Sequence, residues 1–301
     1  MKKSLLFVLL IIVPVISMKA QKPILILEDS LKVGNSLLPG ISVIIPEVRY
    51  ESTLKNWIKE LESGTKSKVV DEAGGMTIFG AILKSITEYP VNVYSELIDR
   101  DSDSTLALKV TIEMKKDQYI ERATGEAELA KAKTFLLDFA KKQYIDLVTE
   151  QVKAEENKLK DLERELGSLE KDQTGMEKSI RSNNRLISYE KEKLIELNNE
   201  LTSVSAALVE HNTQLSSMEP GDPRDERVKY IKTLEKQKKR TQKAIRSAEN
   251  KIAKSEKSVD NSTRAIPRVD NTQERTRNRI ADQEAVLQKF VDKLNTVKGY
   301  K

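Results

Sequence analysis

The sequence predicts an α+β protein: a small N-terminal mixed domain with a largely antiparallel sheet, followed by a long antiparallel helical coiled-coil hairpin. Three observations carry this reading. Residues 22–120 hold short β-branched runs bounded by turn residues. From about residue 126 the aliphatic residues fall into heptads. The stretch "EPGDPRDE" then interrupts the heptads once, with two prolines and a glycine. Composition agrees, since 33% of residues are charged and only 5% aromatic, which suits long amphipathic helices beside one modest core.

The chain opens with "MKKSLLFVLLIIVPVISMKAQK". Lys2 and Lys3 precede an apolar run from Leu5 to Ile16, the pattern of an export signal over residues 1–20. Cleavage after Ala20 or after Ser17 fits, and the rival reading is an uncleaved anchor. The run is shorter than the ~20 residues a membrane span needs. Removing residues 1–20 takes away Lys2, Lys3 and Lys19, so the formal charge falls from +5 to +2. Cysteine is absent, which leaves packing alone to hold an exported fold together.

Residues 22–120 form the small domain. "KPILIL" at 22–27 and "ISVIIP" at 41–46 read as strands, with Pro39-Gly40 starting the second. "RYESTLKNWIKELESG" places Leu54, Trp57, Ile58 and Leu61 on one helical face and stops at Gly64. "KSKVVDEAGGMTIFGAIL" reads as two strands around Gly74-Gly75; a short helix over 76–87 is the alternative, because Ile78, Ile82 and Ile86 recur every four. Val91 and Val93, then Leu106 to Met114, alternate as two strands joined by a hairpin across 99–105. Asp99, Asp101 and Asp103 begin like a calcium loop. Ser104 stands where the turn glycine belongs, and Val110 where a bidentate Glu is needed, so the reading is a solvated turn.

Residues 126–219 form the ascending arm. Leu159, Leu166, Ile180, Ile187, Leu194, Leu201, Leu208 and Leu215 share one a register, with Leu162, Leu169, Leu197 and Val204 at d. Asn183 and His211 fall on d positions as register-setting polar residues. The turn, residues 220–223, is Pro220, Gly221, Asp222 and Pro223: Gly221 ends one helix while Asp222-Pro223 caps and starts the next. A break this short makes the neighbouring helices antiparallel.

The descending arm, 224–297, has apolar residues at a and mostly small or polar residues at d, as in Thr241, Ala248, Ser255 and Ser262. Residues 126–219 carry 14 basic and 19 acidic residues, net −5, whereas 224–301 carry 22 and 11, net +11. Opposite sign favours pairing of the two arms. Pro267 reflects through the turn onto Gly175, which predicts a shared hinge there. Uncovered a residues on the second arm predict a homodimer of hairpins, a four-helix arrangement.

The basic stretch Lys232, Lys236, Lys238, Lys239, Arg240, Lys243 and Arg246 lies near the hairpin tip. It reads as a contact for an anionic lipid, a glycan or an acidic partner; the alternative is a solvated face that balances the first arm. It lacks aromatic interleaving, so nucleic acid is not an expected partner. A single histidine, no HExxH and no phosphate-binding glycine loop leave no expected metal, cofactor or catalytic set.

The combination of an export signal, "PGISVIIPE", the Trp57 helix, "ITEYPVNVY" and a long charged coiled coil resembles an uncharacterised family of exported proteins from Bacteroidetes-type bacteria. The resemblance implies the periplasm or outer surface of a Gram-negative bacterium and brings no assigned activity. In such bacteria Asp103-Ser104-Thr105 also resembles an O-glycosylation site, with Ser104 the acceptor. The functional expectation is a non-enzymatic exported scaffold or adaptor. Its partner would be an envelope protein or a second copy, with no transmembrane segment after signal cleavage. The alternative is an envelope-binding module whose basic tip recognises anionic lipid or glycan.

Overall fold

The computed structural model describes residues 23–72, 75–100 and 104–300. The expected export signal, Gly74, Asp101 and Asp103 lie outside them. A small mixed domain built on a seven-stranded sheet is followed by two long helices packed as a hairpin. The chain forms two compact units: residues up to Glu156 together with Ala285 onward, and Asn157–Glu284.

The sheet comprises β1 (Leu25–Val33), β2 (Ser36–Pro46), β3 (Val70–Glu72), β4 (Gly75–Ala81), β5 (Val91–Arg100), β6 (Thr105–Lys115) and β7 (Gln118–Tyr119). Its order is β1-β2-β6-β5-β4-β3, with β7 also pairing β6. Every described pairing is antiparallel. Helix α1 (Tyr50–Leu61) and the first turns of α2 (Glu126–Ser216) bury one face. Trp57, fully buried, stacks edge-on against Phe139 at 4.9 Å, and its indole N–H donates to Ser95 Oγ at 2.9 Å. Asn56 donates to Gln143 at 2.7 Å, tying α1 to α2.

Three sequence expectations change here. β1 and β2 are longer than 22–27 and 41–46, and they meet in a tight turn at Gly34-Asn35, where Gly34 has φ +58°. Pro39-Gly40 lies inside β2 and does not start it. Gly40 is needed there because a Cβ would stand 2.7 Å from the Val110 carbonyl oxygen. Pro39 is tolerated because β2 pairs with β6 only from Ile41 onward. The helix alternative for 76–87 gives way to β4: Met76 and Ile78 alternate into the core, and a register shift follows before Ala81.

The same unit ends by packing α3 (Asp222–Lys298) against α2. Val297 is buried with Tyr144 and Val148. Lys293 pairs with Glu47 at 2.5 Å and lies 5.4 Å from the centre of the Tyr144 ring. Lys141 donates to the Tyr300 carbonyl at 2.7 Å.

Between the helices the turn departs from expectation in one role. α2 stops at Ser216, and Gly221 belongs to the start of α3: its carbonyl accepts from the amides of Arg224 and Asp225. Its φ of +153° is one that a side chain would disfavour.

Candidate functional surfaces of the hairpin

Within Asn157–Glu284 the two helices meet along a seam that changes character. Near the turn it is apolar, built from Val204, Leu208, Ile231 and Leu234. Further along it turns polar. Glu190, 1% exposed, pairs with Lys251 at 2.6 Å. Asn183 donates to Ser258 at 3.3 Å. Gln173 meets both Asp270 and Gln273 at 2.9 Å. His211 takes the expected seam position, hydrogen-bonded to Arg227 and edge-on to Tyr230 at 4.8 Å between ring centres.

The second arm buries residues of both registers, Ile231 and Ile252 at a among them, but not in proportion to their hydrophobicity. Thr241, Ala248, Ser255 and Thr276 at d are buried, whereas Ile245, Val259, Ile266 and Ile280 at a are only half-buried. Small side chains let the helices approach, and the aliphatic residues flank that contact. Opposite charge contributes as expected, through Lys191–Glu256, Arg277–Glu170 and Arg279–Glu165. These pairs lie away from the turn.

The basic stretch is not used in that pairing. Lys232, Lys236, Lys238, Lys239, Arg240, Lys243 and Arg246 make no ion pair among the described residues. Six of the seven are exposed. Heptad position places those six, together with Lys254 and Lys257, on the outward third of the helix, where no acidic residue stands between 232 and 257. Lys238 is the exception, half-buried at an a position. Lys243, Arg246 and Lys254 line a shallow groove with Ser247, Asn250 and Lys251, the last already paired with Glu190. Such an array of unpaired cations attracts polyanions over about 38 Å of helix.

A second surface escaped sequence reasoning. Between Leu197 and Met218 only Glu200 and Glu210 are charged, in a chain one-third charged. Val209 is 68% exposed on this stretch, and Ile195, just before it, is 63% exposed. Ser205, Val209, Asn212 and Thr213 form one wall of a groove whose other wall carries Glu235, Lys239 and Gln242. The signal was present in the sequence as a gap in charge, but heptad analysis attends to a and d and passes over the outward positions.

Gly175 and Pro267 do lie at one level, between the Gln173–Asp270 and Asn183–Ser258 contacts. Both are exposed, α3 continues through Pro267, and a Cβ on Gly175 would meet nothing. Ser104 is exposed at the β5–β6 turn with φ +49°, its carbonyl accepting from the Glu47 amide at 2.9 Å.

In the sheet unit, β5 and β6 bring together polar residues that the sequence did not connect. Asn92 and Tyr94 donate to Glu113 at 2.8 and 3.3 Å, and the Asp117 amide donates at 3.0 Å. These donors, Asn92 foremost, hold the Glu113 carboxyl below its usual range. They tie β5 to β6 and to the turn that leads into β7.

Among the described residues no cluster of His, Cys, Asp and Glu is arranged to hold a metal ion, and no helix is long and apolar enough to cross a membrane. No protein-family model matches the chain, and no curated protein is significantly similar to it.

Proposed function

We propose that the protein is an exported, non-enzymatic scaffold or adaptor that acts through protein–protein contacts of its hairpin. The supporting observation is the charge-poor stretch of α2 between Leu197 and Met218, with exposed aliphatic residues on and beside it. Exposed Val209, with Ser205, Ala206, Asn212 and Thr213 around it, and exposed Ile195 form the kind of surface that contacts bury. Export rests on the Lys2-Lys3 and Leu5–Ile16 pattern, and the N-terminal mass of the protein recovered from cells tests it. Cross-linking in intact cells tests the adaptor reading, comparing the full chain with one whose residues 200–246 are replaced by a short loop. A single envelope protein captured by the first and lost with the second is the expected result. Capture of nothing but the chain itself overturns the adaptor and leaves a self-assembling element.

The unpaired cations on the outward face of α3 favour a second reading, binding of anionic lipid or glycan near the tip. Changing Lys239, Arg240 and Lys243 together to Gln is expected to weaken binding to anionic vesicles on the order of 100-fold while leaving the helical signal intact. Lys238 is better left unchanged, because it borders the seam. An affinity unaltered by the triple change rejects this reading.

A further inference from the structure

We infer that the outward face of α2 between Ser188 and Ser216 is a contact with a second copy of this chain, two α2 helices lying antiparallel with a two-fold axis at Thr202. The inference rests on the hairpin-contact reading above and names the partner for one of its faces.

Two observations select a second copy. The first is the order of residues along the exposed strip. At heptad spacing one row of outward residues is Ser188, Ile195, Thr202, Val209 and Ser216, all exposed. The series reads the same from either end in chemical type: hydroxyl, β-branched aliphatic, hydroxyl, β-branched aliphatic, hydroxyl. Such a series suits an isologous contact, because each residue meets one of its own chemical type across the axis. Antiparallel pairing about Thr202 sets Ile195 of one copy on Val209 of the other, twice, and Ser188 on Ser216. Beside the axis, Asn198 lies opposite Ala206 and Asn199 opposite Ser205. These side chains are short and neutral, which suits close approach of two helices.

The second observation is charge. In a two-fold contact a face lies against a copy of itself, so a face whose charges share one sign repels itself. The outward positions of α3 carry Lys232, Lys236, Lys239, Arg240, Lys243 and Arg246. Earlier on α2 the outward positions carry Lys171, Lys178, Arg181 and Arg185. The central row of the strip, from Ser188 to Ser216, carries no charge, and the charged residues beside it, Lys191, Glu192, Glu196 and Glu210, are of mixed sign, so the strip meets a copy of itself without an array of like charges. From Ser188 to Ser216 it runs about 42 Å along the helix. Pairing also removes from water the two exposed aliphatic residues, Ile195 and Val209, that the seam leaves uncovered.

The test uses the purified full chain, which contains no cysteine and so accepts single reporters cleanly. Under mild oxidation the Thr202→Cys chain is expected to cross-link to itself. Ile195→Cys and Val209→Cys are each expected to cross-link poorly alone and efficiently when mixed. A Lys239→Cys chain measures random collision. In sedimentation, Ile195→Lys or Val209→Glu alone weakens self-association about tenfold or more, while the double variant recovers it by pairing Lys with Glu across the axis. Far-UV circular dichroism confirms that each variant keeps its helices. A monomeric wild-type chain at micromolar concentration overturns the inference. So does cross-linking at Thr202 no greater than at Lys239, or efficient self-cross-linking at Ile195, which means a parallel arrangement. Each of these outcomes leaves the adaptor reading standing, since that reading depends on what is captured in cells.

Discussion

Glu190 occupies a seam position where the heptad pattern calls for an apolar residue, and it is 1% exposed. Lys251 satisfies one carboxylate oxygen, while the other has no hydrogen-bond partner. Burying a charge costs more than a single half-exposed partner returns, so Glu190→Leu is expected to stabilise the chain by about 1–3 kcal/mol. Lys251→Ala strands the carboxylate and is expected to destabilise by about 1–3 kcal/mol. Thermal unfolding of the two variants checks both signs. Glu28 on β1 is a different case. Its hydrogen bonds to Arg122 and then Lys133 lower its pKa from 4.5 to about 2. A depressed folded-state value means stabilisation that is fully present above the unfolded pKa and lost as pH falls. Stability of wild type and Glu28→Gln, measured across acid pH, should therefore differ above about 4.5 and converge as pH approaches about 2. A difference that persists below that point argues against the ion pair as its source.

Among the elements, two glycines make opposite predictions. Gly40 lies where β2 crosses β6, and a methyl group there meets the Val110 carbonyl at 2.7 Å and Thr111 Oγ1 at 2.8 Å. Backbone cannot yield cheaply, so Gly40→Ala is expected to destabilise by about 1–3 kcal/mol. Gly175 sits mid-helix with open space around it, and Gly175→Ala is expected to stabilise by about 0.5–1 kcal/mol. Equal effects at both sites in thermal unfolding reject this account. The pattern of strands also shows where sequence reading falls short. Alternation found β5 and β6, because each has one fully buried face. It shortened β1, because an edge strand with exposed Leu25 and Leu27 does not alternate cleanly. It missed β7, two residues long and fixed by pairing with β6.

For the whole molecule, the chain divides its labour between a sheet unit with an ordinary apolar core and a helical unit whose seam is largely polar. The high overall positive charge is partly a matter of the first 20 residues, so it is local charge on α3, and not the net value, that governs attraction to anions. The three-residue change at Lys239, Arg240 and Lys243 should lower vesicle affinity by about 1 kcal/mol per cation, on the order of 100-fold together. The wild-type affinity should fall steeply as salt rises, and the variant's should fall less. Equal salt dependence of the two rules out this face as the anion contact.

The sequence by itself determined the fold class, the long helices and the place where the chain turns back, because these follow from periodicity, proline and glycine, which act locally. It also located the cations of α3. Tertiary structure alone decided which positions of α3 are buried: small Ala248 and Ser255 are closed off while Ile245 and Val259 stay half-buried, and Ile231 and Ile252 of that same a series are buried. It alone showed that the basic stretch is left unpaired and that Ile195 and Val209 stand in water. Whether a side chain is covered depends on what the rest of the chain brings against it, and no spacing along one helix contains that information.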